Sequence, residues 1–245
     1  MSDDHKRARQ TICQEHLDRH AREVDAFLHR TVIGDESWVY HYEPDSERQS
    51  MQWKHPSRPA NKKFKTQASA GKVTLTIFWD VNGPIFVRFQ EKGQIVTSAG
   101  YSDMLVNELK PAIRSKRRGL LSERVLLLHD NARPHTAAHT VDTLRDLKFE
   151  VLKHPPYSPD LAPSDFRLFG PMKEHLGGHK FADDELMEVI QNWLKATPKS
   201  FFLEGIRKLV DRWTKCVAKQ GETISVSTLV KKVIIKFLLF NDLPL

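Results

Sequence analysis

Cysteine is scarce: Cys13 and Cys216 are the only two in 245 residues. They lie far apart, in neither a CxxC nor a zinc-knuckle spacing, which argues against a disulfide framework and against a cysteine-built metal site. No apolar run reaches the ~18 residues of a membrane span, and no N-terminal stretch has the pattern of a signal peptide. Internal repeats and low-complexity tracts are also missing. The expected setting is the cell interior, with no membrane partner.

What is present suits a globular chain. Apolar residues make up 40% and charged residues 28%, and the length allows one large α/β domain or two small ones. Thirty-eight Lys and Arg against 31 Asp and Glu leave a net charge of +7. Such an excess fits a polyanionic partner such as nucleic acid, whose phosphates release counterions when neutralised.

Residues 5 to 30 place Ile12, Cys13, Leu17, Val24, Phe27 and Leu28 near a 3.6 period, which predicts an amphipathic helix. His16 and His20 stand at i, i+4 on it, but no HExxH and no third ligand accompany them, so they read as part of a solvated face. From Thr31 to Tyr42 the β-branched and aromatic content predicts a strand. Its alternation sends Ile33, Asp35, Ser37 and Val39 to one face and Val32, Glu36, Trp38 and Tyr40 to the other. Alternation alone leaves open whether Asp35 or Glu36 matters. Residues 44 to 71 read as a long basic loop. Then Val73, Leu75, Ile77 and Trp79 alternate, Asn82-Gly83 makes a turn, and Ile85, Val87 and Phe89 resume the alternation: a β-hairpin, with Asp80 as turn chemistry.

Tyr101, Leu105, Leu109, Ala112 and Ile113 predict a helix that runs into Arg114-Ser115-Lys116-Arg117-Arg118. That cluster reads as a phosphate contact, a nuclear address or a solvated helix end. Val125 to Leu128 has no polar alternation and should be a strand buried on both faces. Ala137, Val141 and Leu144 predict a helix, and Phe149 to Leu152 a short strand, so this unit should pair in parallel with a right-handed crossover. Leu186, Val189, Ile190, Trp193 and Leu194, then Phe202, Ile206, Leu209, Val210 and Trp213, predict two helices whose stripes face a core.

Carboxylates carry the chemistry. The buried strand ends at His129-Asp130-Asn131-Ala132-Arg133-Pro134-His135, and open α/β sheets bind ligands at the carboxyl ends of their strands. Asp130 or Asn131 could equally cap the next helix, and Ser164 or Asp165 the one after that. Asp35 is a third carboxylate able to reach the same sheet edge. Three unpaired anions together raise one another's pKa, so such a cluster calls for a cation. Hard oxygen donors select Mg²⁺ or Mn²⁺, and two such ions can stabilise both oxygens of a phosphoryl transfer.

Three blocks carry a resemblance: Ile33-Gly34-Asp35-Glu36-Ser37-Trp38, His129 to His135 as quoted above, and Tyr157-Ser158-Pro159-Asp160-Leu161-Ala162-Pro163-Ser164-Asp165. They resemble the catalytic blocks of mariner transposases in the Tc1/mariner superfamily, and the 34 residues between Asp130 and Asp165 are that family's diagnostic spacing. The resemblance runs from the first helix to about Gln220. It implies an α/β, ribonuclease-H-like fold: a mixed five-stranded sheet flanked by helices, with further helices at the C-terminus. Residues 1–30 would lead into a catalytic domain at 31–220, with 44–71 as an insertion that helps clamp two subunits into a homodimer, and 221–245 unassigned. Asp35, Asp130 and Asp165 would be the catalytic metal ligands, for two Mg²⁺ or Mn²⁺ ions. Arg133, His135, Lys116, Arg117 and Arg118 are the DNA-contact candidates.

By the same resemblance the partner is DNA, namely transposon ends and a TA target, and the compartment is the nucleus. The family's paired helix-turn-helix domains have no counterpart before the first helix, and the segment from Thr223 departs from a usual mariner ending. The expectation is thus a truncated, non-autonomous transposase catalytic domain. The alternatives are a non-catalytic, domesticated DNA-binding or scaffolding remnant and, third, a ribonuclease H proper.

Overall fold

The computed structural model describes residues 1–42, 71–90 and 94–224. The expected loop insertion at 44–71, save Gly71, and the tail from residue 225 lie outside the described residues. Two helices come first, α1 (Asp3–Glu23) and α2 (Asp25–His29). The strand β1 (Thr31–Tyr40) follows, then the hairpin β2 (Lys72–Asp80) and β3 (Gly83–Gln90). A long helix runs as α3 (Ser98–Met104), a π-helical stretch (Leu105–Leu109) and α4 (Lys110–Lys116). Next come β4 (Leu126–Leu128), α5 (Arg133–Thr136), α6 (Ala138–Asp146) and β5 (Glu150–Val151). A 3₁₀ turn (Pro159–Leu161) and a π-helical turn (Ser164–Leu168) lead into α7 (Phe169–Leu176), α8 (Asp183–Ala196) and α9 (Lys199–Ala218). Among the described residues no helix is long and apolar enough to cross a membrane.

The strands form one mixed sheet in the order β3-β2-β1-β4-β5. β3, β2 and β1 pair antiparallel, whereas β1, β4 and β5 pair in parallel. Each face carries its own core. On one, Ile33, Val39, Leu75, Ile77, Trp79 and Leu128 pack with residues of α7, α8 and α9. On the other, Val32, Phe78, Val125 and Leu127 pack with Tyr101, Leu105, Leu109, Ile113 and Leu144. The alternation expected for β1 and β2 is therefore the one observed, and every residue of β4 is buried, as a strand covered on both sides requires.

Four expectations need correcting. Ile85 does not share a face with Val87 and Phe89: the β2–β3 register shifts at Phe78/Trp79, and this bulge turns Ile85 to the opposite core. Val141 is 44% exposed, because α6 presents Thr140 and Leu144 inward. The first helix is two helices, broken at Val24, whose φ of 52° ends α1 and leaves its side chain at the surface. Nor is its histidine face solvated throughout. His16 is buried, and its Nε2–H donates to the carbonyl of Lys153 at 2.8 Å.

The inward stripe of α1 is Arg9, Cys13 and His16, and its polar character hides it from a hydrophobicity reading. Arg9 is its anchor. The guanidinium donates to both carboxylate oxygens of Asp160, at 2.8 and 2.6 Å, and to the carbonyl of Gly221 at 2.8 Å. Asp160 also accepts from the Ile224 amide at 2.8 Å. One buried pair thus ties α1 to the Pro159–Leu161 turn and to the segment after α9. Breaking such a pair leaves a buried charge without its partner, at a cost of about 3–5 kcal/mol. Urea denaturation of Arg9→Met should show a loss of that size, and Arg9→Met/Asp160→Leu should recover much of it. A single variant as stable as the parent would show that the pair is no anchor.

Candidate active site

Parallel pairing brings the carboxylates together. Ile33 lies opposite Leu128, so two residues further along each strand Asp35 and Asp130 emerge at the same sheet edge. Gly34 makes room for this: a Cβ there would stand 2.5 Å from a ring carbon of Phe78. Asp165 arrives from a different element. Trp79 on β2 donates its indole N–H to the buried Ser164 hydroxyl at 3.0 Å, fixing the start of the turn that carries Asp165.

Neither helix-capping reading survives. Asp130 accepts from the Ala132 amide at 3.0 Å, but the cap position of α5 is Ala132, with no side-chain cap bond. Asn131 donates instead to the carbonyl of His154 at 2.6 Å. The turn at Ser164–Leu168 is preceded by Pro163 and has no side-chain cap either.

Charge sets the character of the site. Burial pushes Asp35 well above the usual carboxylate range, and the nearby charges of Asp165, Asp130 and Glu36 push it further. Burial likewise lifts Asp165 to about 7, with Lys173 pulling down and Asp130 pushing up. Asp130 behaves differently. Burial would raise it, but the hydrogen bond and charge of His135 and the Ala132 amide outweigh that and hold it below the ordinary value.

His135 lies between two carboxylates, its Nδ1–H donating to Asp130 at 2.8 Å and its Nε2 facing Glu36 at 3.5 Å. Burial opposes its charge, yet these two anions raise it to about 10, so it is an imidazolium. His129 stacks on it with ring centroids 4.8 Å apart, and burial beside that cation drops His129 to about 3. Neutral His129 accepts at Nδ1 from the Tyr101 hydroxyl at 2.9 Å. The open choice between Asp35 and Glu36 now has a geometry. Asp35 faces the other two aspartates, and Glu36 faces His135 on the opposite side of β1.

The chain as a whole is similar to known proteins. Residues 43–123 match the family model Transposase (partial DDE domain). Over 217 residues the chain is 37% identical to the mariner Mos1 transposase of Drosophila mauritiana, covering 87% of this chain and 61% of that protein. It superposes on the crystal structure of the Mos1 catalytic domain with a TM-score of 0.76 and 34% identity, covering 92% of this chain and 98% of that one. The chain belongs to the mariner transposases. It also matches the Mos1 paired end complex, solved with Mn, at a TM-score of 0.85 and 35% identity, over 92% of this chain and 65% of that one. The chain thus spans about 61% of the length of Mos1 transposase.

Among the basic residues expected at DNA, this mariner chain leaves Arg133 exposed beside Asp130. His135 is buried against its carboxylates, which puts it out of reach of a phosphate in this conformation. Lys116 donates to the carbonyl of Ile85 at 2.8 Å, and Arg117 grips both oxygens of Asp80 at 2.6 and 2.9 Å. Asp80 also accepts from the Asn82 amide, so the turn reading of that residue is only half of its work. Asp80 follows Trp79, the partner of Ile33, so this basic group stands at the sheet end away from Asp35. Arg118 is exposed there.

Sequence reasoning missed the place of Tyr101 in the site and the pairing of His135 with Asp130 and Glu36. The His129 and His135 spacing was visible, but only the turn into α5 stacks the two rings.

Whether the residues fit a divalent ion is a question of donor chemistry. Among the described residues no three His, Cys, Asp or Glu side chains are gathered closely enough to grip one. The donors themselves fit in kind: hard carboxylate oxygens whose mutual repulsion a cation would relieve. The pKa of Asp165 makes this testable. Its value rises on folding from 3.8 to about 7, so ionised Asp165 disfavours the folded state. Stability at this position is fully present below about pH 4 and lost as pH rises through about 7. In metal-free buffer, Asp165→Asn should therefore match the parent in urea midpoint near pH 3.5 and exceed it at pH 8. Millimolar Mg²⁺ should narrow the pH 8 gap; a gap independent of pH would contradict the assignment.

Proposed function

We propose that this chain is a mariner transposase catalytic domain that cleaves DNA phosphodiesters and joins the freed 3′ end to new DNA. Asp35, Asp130 and Asp165 would hold two Mg²⁺ or Mn²⁺ ions. What carries the reading is the convergence of three carboxylates from β1, β4 and the turn before α7 on one edge, two of them with strongly raised proton affinity. Bound divalent ions supply Lewis acidity for the attacking and leaving oxygens of an in-line displacement. The Mos1 complex solved with Mn supports this use of metal.

The chain's own residues prepare the site. His135 and the Ala132 amide hold the Asp130 carboxylate in one orientation and keep it ionised. Trp79, through Ser164, sets the position from which Asp165 projects. Arg133, exposed three residues beyond Asp130, would meet a DNA phosphate. A TA target, a homodimer and a nuclear site of action belong to the same reading and rest on the family alone. The scaffold alternative is not favoured: holding Asp35 and Asp165 with raised proton affinity costs stability, and a chain without chemistry gains nothing from it.

Nicking of a supercoiled plasmid in Mg²⁺ or Mn²⁺ tests the proposal. Asp130→Ala and Asp165→Ala should each lose activity by more than about 100-fold, the upper range seen for groups that merely support a metal ligand. His135→Ala should lose about 10- to 100-fold, as a group orienting a ligand does. Aspartate variants that nick as fast as the parent would sink the assignment.

A further inference from the structure

α9 carries a second basic surface that the catalytic residues do not use. Lys208, Arg212, Lys215 and Lys219 follow one another at intervals of four, three and four residues, which keeps them within about 60° of one helical face and spreads them over about 16 Å. With Asp211 and Ile224 they line an open depression of about 470 Å³.

Three features set this stripe apart from an ordinary solvated helix face. Some exposed cations elsewhere are paired, as in Lys153–Glu15 at 3.0 Å and Arg145–Asp142 at 2.7 Å. Lys208, Lys215 and Lys219 are exposed and have no ion-pair partner among the described residues, although Asp211 lines the same depression. The fourth cation is built in. Arg212 is half-buried, donates to the carbonyl of Asp160 at 2.8 Å, and lies 4.2 Å over the ring of Phe166. Finally, Phe166 is the residue after Asp165, so the stripe begins where the carboxylate site ends.

We propose that this face of α9 is a track for the phosphate backbone of duplex DNA, leading a strand toward the Asp165 edge. A strand carries one phosphate per 3.4 Å of helix axis, so about 16 Å of cations faces about five phosphates. The track deepens the transposase reading and rests on it for direction, but its binding is measurable without catalysis.

The experiment is fluorescence anisotropy with a labelled duplex of random sequence, in EDTA, across a salt series. The variants are Lys208→Gln/Lys215→Gln/Lys219→Gln and, as an equal change of charge elsewhere, Arg124→Gln/Lys195→Gln/Lys199→Gln. The first should weaken binding roughly 10-fold at moderate salt and flatten the slope of log K against log salt by up to about 2.7, at 0.9 per phosphate. The arginine triple at 208, 215 and 219 should bind as the parent does, which guards against a folding defect. Equal losses in both glutamine variants, or none in the first, would overturn the track. Because no metal is present, a parent that binds with this slope yet never nicks plasmid would leave the track standing and remove the catalytic reading instead.

Discussion

The pairing of Ile33 with Leu128 is the constraint on which the site depends. It is a parallel contact, and parallel strands need a crossover, so Asp35 and Asp130 are brought level by chain segments almost a hundred residues apart. A slip of one residue between these strands would flip one carboxylate to the other face of the sheet. The register is secured by burial: β4 is covered on both sides, and β1 sends Val32 and Ile33 into different cores. Packing energy far from the chemistry thus holds the carboxylates in place.

That arrangement places like charges together, and the surrounding groups answer it unevenly. Asp130 receives an imidazolium and a backbone amide, and stays ionised. Among the described residues Asp35 has the Glu36 amide, at 2.8 Å, against burial and three neighbouring carboxylates. Asp165 has the charge of Lys173 to offset part of its burial. One carboxylate is therefore held ionised, and the other two have raised proton affinity. His135 gathers Asp130 on one side and Glu36 on the other, and the rings of His129 and Tyr101 pack against it. The cost of this design is borne elsewhere, in two continuous cores and in the Arg9–Asp160 anchor, which sits in the same proline-punctuated segment as Asp165.

Much of this was legible beforehand because it rests on local pattern. Period-two alternation marked β1, β2 and the faces of Ile33 and Trp79. An unbroken apolar run marked β4, and the helical stripes of α8 and α9 found Leu186, Ile190, Phe202 and Ile206. The pattern failed where inward residues were polar, as for Arg9, His16 and Thr140. It failed again where one extra residue in β3 reversed the face of Ile85. Lys116 and Arg117 looked like a free basic cluster because a sequence shows charge but not its partner, here Asp80 and a hairpin carbonyl.

The sequence by itself offered candidate carboxylates, and the resemblance carried by its blocks singled out Asp35, Asp130 and Asp165 among them. It also determined the family, through three short blocks. Tertiary structure decided the rest: that Asp35 and not Glu36 faces the other two aspartates, that His135 serves Asp130, and that α9 turns its lysines outward and lays Arg212 over Phe166. Those choices depend on which strand face a side chain leaves from and on what lies within a few ångströms of it. Coulombic and hydrogen-bonding energies depend on that separation in space, and separation along the chain does not reveal it.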